Sequence, residues 1–461
     1  METRREIDPI GERAIPKNAY FGIQTLRATE NFPVSGIKAP IQFIKAYVLV
    51  KKAASIANSQ VGWIDEKIAK AIIHACDEIL AGKLLDQFVV DVFQAGAGTS
   101  FNMNVNEVLA NRALEILGKQ KGDYKSLGPN DHVNMGQSTN DTFPTAIHVS
   151  ILMALEPLLV ALDELAEAFE ELGKKNAHII KAGRTHLQDA MPVTVGQEFS
   201  AYGSAIANAT AELRRRQENL YPVALGGTAT GTGANSHTDY KQISIAELAR
   251  LTGFPLKPEM NNFEALQSQR RTQSVSSGLK ELALELIRIA NDLRLLSSGP
   301  TTGLSEIKLP SVQPGSSIMP GKVNPVMAEC LDMVAFQVVG NDLATSMAVQ
   351  AGQLELNVMM PTIMYNILFS IQILTNYIPV FTEKCVKGIS VDDRRCEQYL
   401  EKNPALATLL APKIGYLEAA KIAKIAQTEK RTVKEVILEK GLLKPEEIEK
   451  IFSRKQLLNE R

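Results

Sequence analysis

The sequence predicts a mainly α-helical protein whose centre is a bundle of long helices. Two apolar seams, in which spacings of three and four residues alternate, predict two helices of this bundle. A third segment, 361–378, is apolar on nearly every face, so its helix must be surrounded by other helices. The strand signal is thin, with short β-like stretches only beside the turns around residues 20–23. The two seams consist of Leu155, Leu158, Leu162, Leu165, Phe169 and Leu172, and of Val275, Leu279, Leu282, Leu286, Ile289, Leu293 and Leu296.

The helix predicted at 361–378 also bears on assembly. Ile363, Ile367, Ile371 and Leu374 belong to it, and almost no polar face is left. One chain rarely surrounds a helix on all sides. We therefore expect this surface to pack against other copies of the same chain.

Three segments rich in turn residues interrupt the helical pattern, and we expect them to be loops. They are 92–104, 222–236 and 299–325, the last of which leads into a helix. From about Cys396 onward the chain is strongly charged and carries short amphipathic helices. This change of composition indicates a small separate C-terminal domain or cap.

The charge balance and composition exclude several classes of protein. The 461 residues carry 50 Lys and Arg against 51 Asp and Glu, and a net charge of -1 argues against a nucleic-acid partner. Hydrophobic residues at 45% and charged residues at 22% are typical of a globular protein. The first residues lack the apolar core of a signal peptide, and the apolar stretches are interrupted before about 18 residues. We expect a cytoplasmic protein with no membrane partner.

The cysteines and histidines indicate neither a disulfide framework nor a zinc site. The 4 cysteines include no Cys-x-x-Cys pair, and the 6 histidines include no His-Glu-x-x-His pattern. We expect buried, reduced thiols.

Three clusters combine hydroxyl, amide, imidazole and ammonium groups. They are Gly-Ser-Ser-Ile-Met-Pro-Gly-Lys-Val-Asn-Pro at 315–325, Gln-Ser-Thr-Asn-Asp at 137–141 and Gly-Arg-Thr-His-Leu-Gln-Asp at 183–189. The last two precede long apolar helices, and each alone is typical of a helix N-cap. Together with Thr99, the three clusters supply neutral hydrogen-bond donors and one cation, Lys322, a set suited to a small dicarboxylate.

The segment 315–325 resembles the signature of the fumarase/aspartase superfamily, and the other two clusters match the two other regions that this family shares. The resemblance covers nearly the whole chain. It implies a mostly helical N-terminal domain at 1–138, a central domain of long helices at 139–395 and a small helical C-terminal domain at 396–461. It also implies a homotetramer with a core of about twenty helices and active sites shared by three subunits.

Enzymes of this family add or remove a small group across the double bond of fumarate. Removing a proton next to a carboxylate creates a dianionic aci-carboxylate, which preorganised donors must stabilise. By similarity, Ser316 is the base, helped by backbone amides of its own loop and by Lys322. The resemblance requires no cofactor and leaves activation by a divalent cation such as Mg²⁺ open, although no dedicated carboxylate cage and no metal ligand are visible.

The other roles also come from matched positions. His186 would lie near the leaving group together with Asn140, and Glu329 would orient the imidazole. The carboxylate next to the leaving group would be held by Lys322, Asn324 and Thr185. The carboxylate that becomes the dianion would be held by Thr99, Ser138, Thr139 and Ser317. Family members also carry a second dicarboxylate site near the loop matched by residues 128–131.

The resemblance alone leaves the substrate open between two groups of the family. Residues 94–103 and 351–359 resemble aspartate ammonia-lyases, whereas residues 410–416 are closer to class II fumarases. We predict the deamination of L-aspartate to fumarate and ammonia, with the interconversion of L-malate and fumarate as the alternative. A catalytically silent homologue is a third reading, which the matched catalytic residues disfavour. Four positions depart from the family pattern, namely Gly136, Thr301, Ala328 and Met360.

Overall fold

The chain consists mainly of α-helices in a computed structural model that describes residues 2–459. The longest helix, at 139–175, has 37 residues. In chain order the helices are α1 (Ile23–Asn31), α2 (Ile41–Gln60), α3 (Glu66–Leu80), α4 (Thr99–Ile116), α5 (Thr139–Lys175), α6 (Val195–Gln217), α7 (Tyr240–Thr252), α8 (Asn262–Gln267), α9 (Arg270–Leu296), α10 (Val326–Gln350), α11 (Met360–Lys384), α12 (Asp393–Lys402), α13 (Ala411–Ile414), α14 (Tyr416–Glu429), α15 (Val433–Glu439), α16 (Pro445–Ile451) and α17 (Arg454–Leu457).

Both predicted seams are confirmed. The first lies on α5 and the second on α9, and every seam residue is at most 6% exposed. Burying one large aliphatic side chain contributes about 1.5–3 kcal/mol, so the two seams are a major source of the stability of the bundle.

The β-structure of residues 2–459 consists of four two-stranded sheets and two isolated bridges, in keeping with the thin strand signal. One pair, β5 with β6, is parallel, and the other three pairs are antiparallel hairpins or bridges. The strands are β1 (Thr3–Asp8), β2 (Gly11–Pro16), β3 (Ile180–Thr185), β4 (Gln188–Thr194), β5 (Pro222–Val223), β6 (Lys257–Pro258), β7 (Ile307–Lys308) and β8 (Ser390–Val391).

The short β-like stretches predicted beside the turns around residues 20–23 are found only before these turns, as β1 and β2, because α1 begins at Ile23 on the other side. A distant carboxylate starts this helix. Glu107 of α4 accepts hydrogen bonds from the backbone N–H groups of Gly22 (2.8 Å), Gln24 (2.9 Å) and Thr25 (3.1 Å). The first turn of a helix leaves such N–H groups without partners, and this cap satisfies them from outside the local sequence.

The apolar segment 361–378 forms most of α11, but the chain itself buries much of it. Ile363, Ile367, Ile371 and Leu374 are at most 1% exposed in the single chain. These four residues need no other copy to cover them, but Tyr365, Phe369, Ile373 and Tyr377 of the same helix are only partly buried, so the packing of this helix against other copies stays a prediction.

A strongly exposed apolar face lies on helix α10. Met333, Phe336, Leu343 and Met347 are 67%, 57%, 66% and 58% exposed. Their spacing places them on one side of the helix. This face, Met333 to Met347, is called the α10 face below.

Two helical segments, Thr139–Lys175 and Met360–Gly388, are long and apolar enough by composition to cross a bilayer. Within the chain, 78% of the most apolar window of the first and 50% of that of the second is buried. The core helices of a globular bundle have the same composition, and packing within the chain accounts for most of the apolar window of the first segment.

The predicted loops are confirmed except for one end. Residues 222–236 and 299–325 contain no helix and only the short strands β5 and β7. In 92–104 the loop ends early, because α4 begins at Thr99.

Contacts divide the chain into two compact units. The first comprises Met1–Leu159, Ala211–Ala283 and Phe336–Thr375, and the second comprises Val160–Thr210, Leu284–Ala335 and Asn376–Arg461. The predicted domain 1–138 lies within the first unit and the predicted domain 396–461 within the second. The division into these three domains, with its two boundaries, stays a prediction. In the second unit, Leu406, Leu410, Ile422, Val436 and Ile437 belong to a hydrophobic core of the C-terminal helices.

Candidate functional site

In the first unit, two helices begin at predicted site residues. Thr99 is the first residue of α4, and Ser138 directly precedes α5, which begins at Thr139. Gly98 brings these helix starts together, because a Cβ atom there would lie 2.1 Å from Cδ2 of Phe143. Gly98 also has φ 96°, a conformation that favours glycine. The helix dipoles make such helix starts favourable places for an anion, although several of their N–H groups already have partners, among them the N–H of Phe101, which donates to Oε1 of Gln94.

Asp141 fastens the turn that carries Ser138, Thr139 and Asn140. Its Oδ1 accepts a 3.0 Å hydrogen bond from the N–H of Ser138, and its Oδ2 accepts from the N–H groups of Gly226 (3.0 Å) and Thr228 (2.9 Å). The side chain is fully buried, and burial raises the pKa of Asp141 to about 6 against the effect of these donors. The sequence pattern contained Asp141 but assigned it no role.

Asn140 is also tied to this loop. Its side-chain amide donates a 2.7 Å hydrogen bond to the carbonyl oxygen of Ala229. The contact supports the turn, and the amide carries a second N–H that a substrate group could use.

Lys51 of α2 is a buried cation that the sequence reasoning missed. Its ammonium group donates to Oδ1 of Asn134 (3.0 Å) and to Oε1 of Gln137 (2.9 Å), just before the Ser138 turn. Burial lowers the pKa of Lys51 to about 7, although the charge of Asp141 opposes this shift. A lysine on an otherwise apolar helix face was the only signal in the sequence that pointed to it.

In the second unit, Thr185 and His186 lie at the tip of the β3–β4 hairpin. The strand register pairs Thr185 with Gln188, so His186 and Leu187 form a two-residue turn with φ 56° and 57°. Positive φ at both positions is typical of type I′ turns, which match the twist of the strands. The N-cap interpretation of residues 183–189 is therefore wrong. Both predicted site residues are exposed at the tip.

Ser316 lies on a loop in which backbone N–H groups donate hydrogen bonds to its hydroxyl oxygen. Oγ of Ser316 accepts hydrogen bonds from the N–H groups of Ile318 (3.2 Å) and Met319 (2.9 Å). These donors are placed where they would stabilise a negative charge on Oγ. Ser316 and Lys322 line the same open cleft of about 460 Å³.

The other predicted residues of the second unit differ in their exposure and in their contacts. Ser317 and Lys322 are exposed on this loop. Asn324 donates its side-chain amide to the carbonyl of Gly315. Glu329 lies in the first turn of α10, and among residues 2–459 of one chain its carboxylate makes no hydrogen bond to His186. The proposed orientation of the imidazole by Glu329 stays a prediction.

The structure thus places the predicted residues in three groups, one in the first unit and two in the second. Thr99, Ser138, Thr139 and Asn140 belong to the first. The second unit carries a hairpin group and a loop group, comprising Thr185, His186, Ser316, Ser317, Lys322, Asn324 and Glu329. The assignment of these residues to one active site stays a prediction.

Residues 129–133, in the loop matched to the second dicarboxylate site, form one short π-helical turn. The cavity beside it, of about 170 Å³, is lined by the carboxyl groups of Asp8, Glu107 and Asp131. The carboxylate of Asp8 is paired with Arg27, at 2.8 and 3.0 Å, and the carboxyl group of Glu107 caps α1. A role for this loop in catalysis stays a prediction.

Across residues 2–459, no group of three or more His, Cys, Asp or Glu side chains is arranged to hold a metal ion. Activation by Mg²⁺ therefore has no residue set to which it could be assigned, and it stays a prediction. All four cysteines are free thiols, and Cys330 differs from the other three in being partly exposed.

Among the four departures from the family pattern, Ala328 and Met360 are fully buried. They affect packing more directly than substrate contact. Thr301, in contrast, is exposed in the segment that leads to the Ser316 loop.

Comparisons with known proteins identify the family of the chain. A family model described as Lyase matches residues 11–340, and one described as Fumarase C C-terminus matches residues 406–459. The chain is 48% identical over 452 residues to a protein of Bacillus subtilis named aspartate ammonia-lyase, covering 98% of this chain and 95% of that protein.

Two solved structures have the same fold. One, titled fumarate lyase:delta crystallin from Brucella melitensis bound to cobalt, has 48% identity and a TM-score of 0.95 and covers 98% of both chains. The other, a class II fumarase from Schistosoma mansoni, has 37% identity and a TM-score of 0.96 and covers 100% of both chains. A family model matches residues 11–340, and the Bacillus subtilis relative is 48% identical over 452 residues. The chain therefore belongs to the fumarase/aspartase superfamily of lyases.

Proposed function

We propose that this chain is an aspartate ammonia-lyase, which converts L-aspartate reversibly to fumarate and ammonia. The observation that carries the proposal is the 48% identity, over 98% of the chain, to the aspartate ammonia-lyase of Bacillus subtilis. The donor set of the site, hydroxyls and amides with one exposed lysine, supports a dicarboxylate substrate.

Ser316 is the proposed base. Its Oγ, as the alkoxide, takes the proton from Cβ of L-aspartate, and the electron pair of the C–H bond moves into the adjacent carboxylate to give the aci-carboxylate dianion. The N–H groups of Ile318 and Met319, which donate to Oγ, support this role because they lower the cost of an anionic oxygen. The pair then forms the C=C bond while the Cα–N bond breaks and its electrons leave with ammonia. The proton on Ser316 returns to solvent.

The remaining groups are proposed to bind and orient. Thr99, Ser138 and Thr139 lie at helix starts, where the helix dipole stabilises the carboxylate on which the second negative charge develops. Ser317 is proposed to bind the same carboxylate. Lys322, Asn324 and Thr185 hold the other carboxylate. His186, with Asn140 and Glu329, acts at the leaving group.

Assembly into a homotetramer with shared active sites is part of the proposal. Support comes from the α10 face, whose apolar side chains are more than half exposed in the single chain. A second support is that the predicted site residues fall into separate groups on different segments. The cytoplasm is the proposed compartment.

Fumarate hydratase activity is the second candidate. The match of residues 406–459 to the Fumarase C C-terminus and the TM-score of 0.96 to a class II fumarase favour it. Both reactions share fumarate, and they differ only in the leaving group.

Purified protein mixed separately with L-aspartate and L-malate distinguishes the two. We expect the ultraviolet absorbance of fumarate to appear with L-aspartate, with release of an equal amount of ammonia. The Ser316→Ala variant, purified in parallel, controls for contaminating enzymes. Fumarate from L-malate alone would overturn the proposal in favour of the hydratase, and none from either substrate would favour a silent homologue.

A further inference from the structure

A buried carboxylate in the second unit belongs to the segment that leads to Ser316 and contacts the hairpin that carries His186. Glu306 is 1% exposed, and its two oxygens accept hydrogen bonds from Nη1 (3.0 Å) and Nη2 (2.8 Å) of Arg184. Arg184 directly precedes Thr185 and His186 on the β3–β4 hairpin. A bidentate guanidinium–carboxylate pair fixes distance and orientation together, so it limits how the hairpin tip can move.

A second cation reinforces this connection from the other end of β3. The ammonium group of Lys181 lies 2.8 Å from Oε2 of Glu306 and 2.9 Å from Oε2 of Glu198. The side chains of Lys181 and Glu306 are only 2% and 1% exposed. Two cations and two anions thus form a neutral cluster, in which Glu306 contacts both cations. Although burial favours the neutral acid, these cations hold the pKa of Glu306 below its ordinary value.

The backbone of Glu306 fastens the start of the Ser316 loop. Its N–H donates to the carbonyl of Leu296 at the end of α9 (3.0 Å), and its carbonyl accepts from the N–H of Asp392 (2.9 Å). The next two residues form β7, which pairs with β8. The chain leaves this anchored point and enters the loop that carries Ser316, Lys322 and Asn324.

We propose that Glu306 is a positioning residue that holds the His186 hairpin and the root of the Ser316 loop in a fixed relation through one buried side chain. It touches no substrate and acts through Arg184, Lys181 and its own backbone. The inference rests on the proposed function only in that Ser316 and His186 are taken to serve one reaction.

Glu306→Gln tests this role, because it keeps the shape of the side chain but removes the charge that pairs two cations. We expect kcat to fall by about a hundredfold, since small displacements of reacting groups have effects of this size, while KM changes much less. With L-aspartate deuterated at Cβ, the isotope effect on kcat should increase, because a misplaced base slows proton removal.

Glu78→Gln is the matched control. Glu78 of α3 also pairs with two nitrogens of an arginine, Arg112, with Nη2 donating to Oε1 at 3.0 Å. Arg112 lies near the end of α4, far along that helix from Thr99. We expect Glu78→Gln to lower the melting temperature without changing kcat or the isotope effect. An equal loss of kcat in both variants, or a kcat of Glu306→Gln within twofold of the unmodified enzyme, would overturn the inference.

Amide hydrogen exchange provides a readout that does not depend on the substrate. Glu306→Gln should accelerate exchange in residues 183–190 and 307–324, and Glu78→Gln should not. If Glu306→Gln fails to fold, Arg184→Lys carries the same test, because it keeps the charge but loses the bidentate geometry. Unaltered exchange in both segments would overturn the inference, whereas absence of fumarate formation by the unmodified enzyme would overturn only the proposed function.

Discussion

The side-chain amide of Asn324 donates a 2.7 Å hydrogen bond to the carbonyl oxygen of Gly315, across the two ends of the loop that carries Ser316. The N–H of Gly315 donates in turn to the carbonyl of Lys322 (2.9 Å). A Cβ atom at Gly315 would lie 2.2 Å from that carbonyl oxygen, so only glycine permits the closure. Asn324 therefore shapes the loop, and its second amide N–H is left for the predicted carboxylate contact.

Replacing Ser316 with Ala should lower kcat by roughly a thousandfold, within the range that general-base catalysis contributes. The rest of the protein should be unaffected, because the hydroxyl lies on a surface loop. Fumarate absorbance measures the loss, and gel filtration with thermal melting checks the fold. A variant that retains a tenth of the activity would exclude Ser316 as the base.

His186→Asn should separate the chemistry of the imidazole from the geometry of the turn. Asparagine tolerates the positive φ that His186 adopts, so the hairpin should persist while kcat/KM falls by about a hundredfold. His186→Ala, which tolerates this conformation less well, should lose stability in addition. Full activity of His186→Asn would show that the imidazole has no role at the leaving group.

Leu187→Gly should stabilise the protein by about 1 kcal/mol, because a leucine at φ 57° is strained and 70% of its side chain is exposed. Thermal melting measures the change. Leu438→Gly, at another exposed leucine but inside helix α15, should destabilise instead and serves as the contrast. Lower stability of Leu187→Gly would mean that the leucine makes a contact that outweighs its strain.

Lys51→Met should remove a pH dependence of stability. Folding lowers the pKa of Lys51 from 10.5 to about 7, so between these values the folded state binds fewer protons than the unfolded state. The contribution of Lys51 to the free energy of unfolding therefore becomes more favourable as the pH rises from 7 to about 10.

Urea unfolding at pH 7 and pH 9.5 measures this contribution as the difference between the unmodified protein and Lys51→Met. The difference should increase with pH. Lys70→Met, at an exposed lysine of α3 that pairs with Glu66, should show no such trend. A pH-independent difference for Lys51→Met would mean that Lys51 keeps an ordinary pKa in the folded protein.

Phe336→Glu should dissociate the proposed tetramer, because it places a charge in the middle of the α10 face. Light scattering should show smaller species, with activity lost in proportion if the sites are shared between subunits. Leu438→Glu, at a leucine 48% exposed elsewhere, should leave the assembly intact. An intact tetramer with Phe336→Glu would remove the α10 face from the interface.

Local pattern was sufficient for the long helices and for the loops between them. Hydrophobic periodicity and turn residues are properties of neighbouring positions in the sequence. They were therefore enough to predict the apolar seams on α5 and α9 and the loop at 299–325. The same reasoning failed at α1 and at residues 183–189. The start of α1 is capped by Glu107, which is distant in sequence. At residues 183–189, a pair of antiparallel strands was mistaken for a helix cap.

The sequence by itself determined the class of the fold, the family and the list of groups able to bind a dicarboxylate, because these depend on composition, periodicity and motif. Tertiary structure alone decided which buried charges support those groups. Lys51 and Glu306 belong to no motif, and the motif that contains Asp141 gave it no role. The importance of all three comes from their removal from water, where a charge must find partners at fixed distances. It also decided which side of α11 its own chain buries and that an exposed apolar face lies on α10, since apolar composition does not specify which neighbour covers a surface.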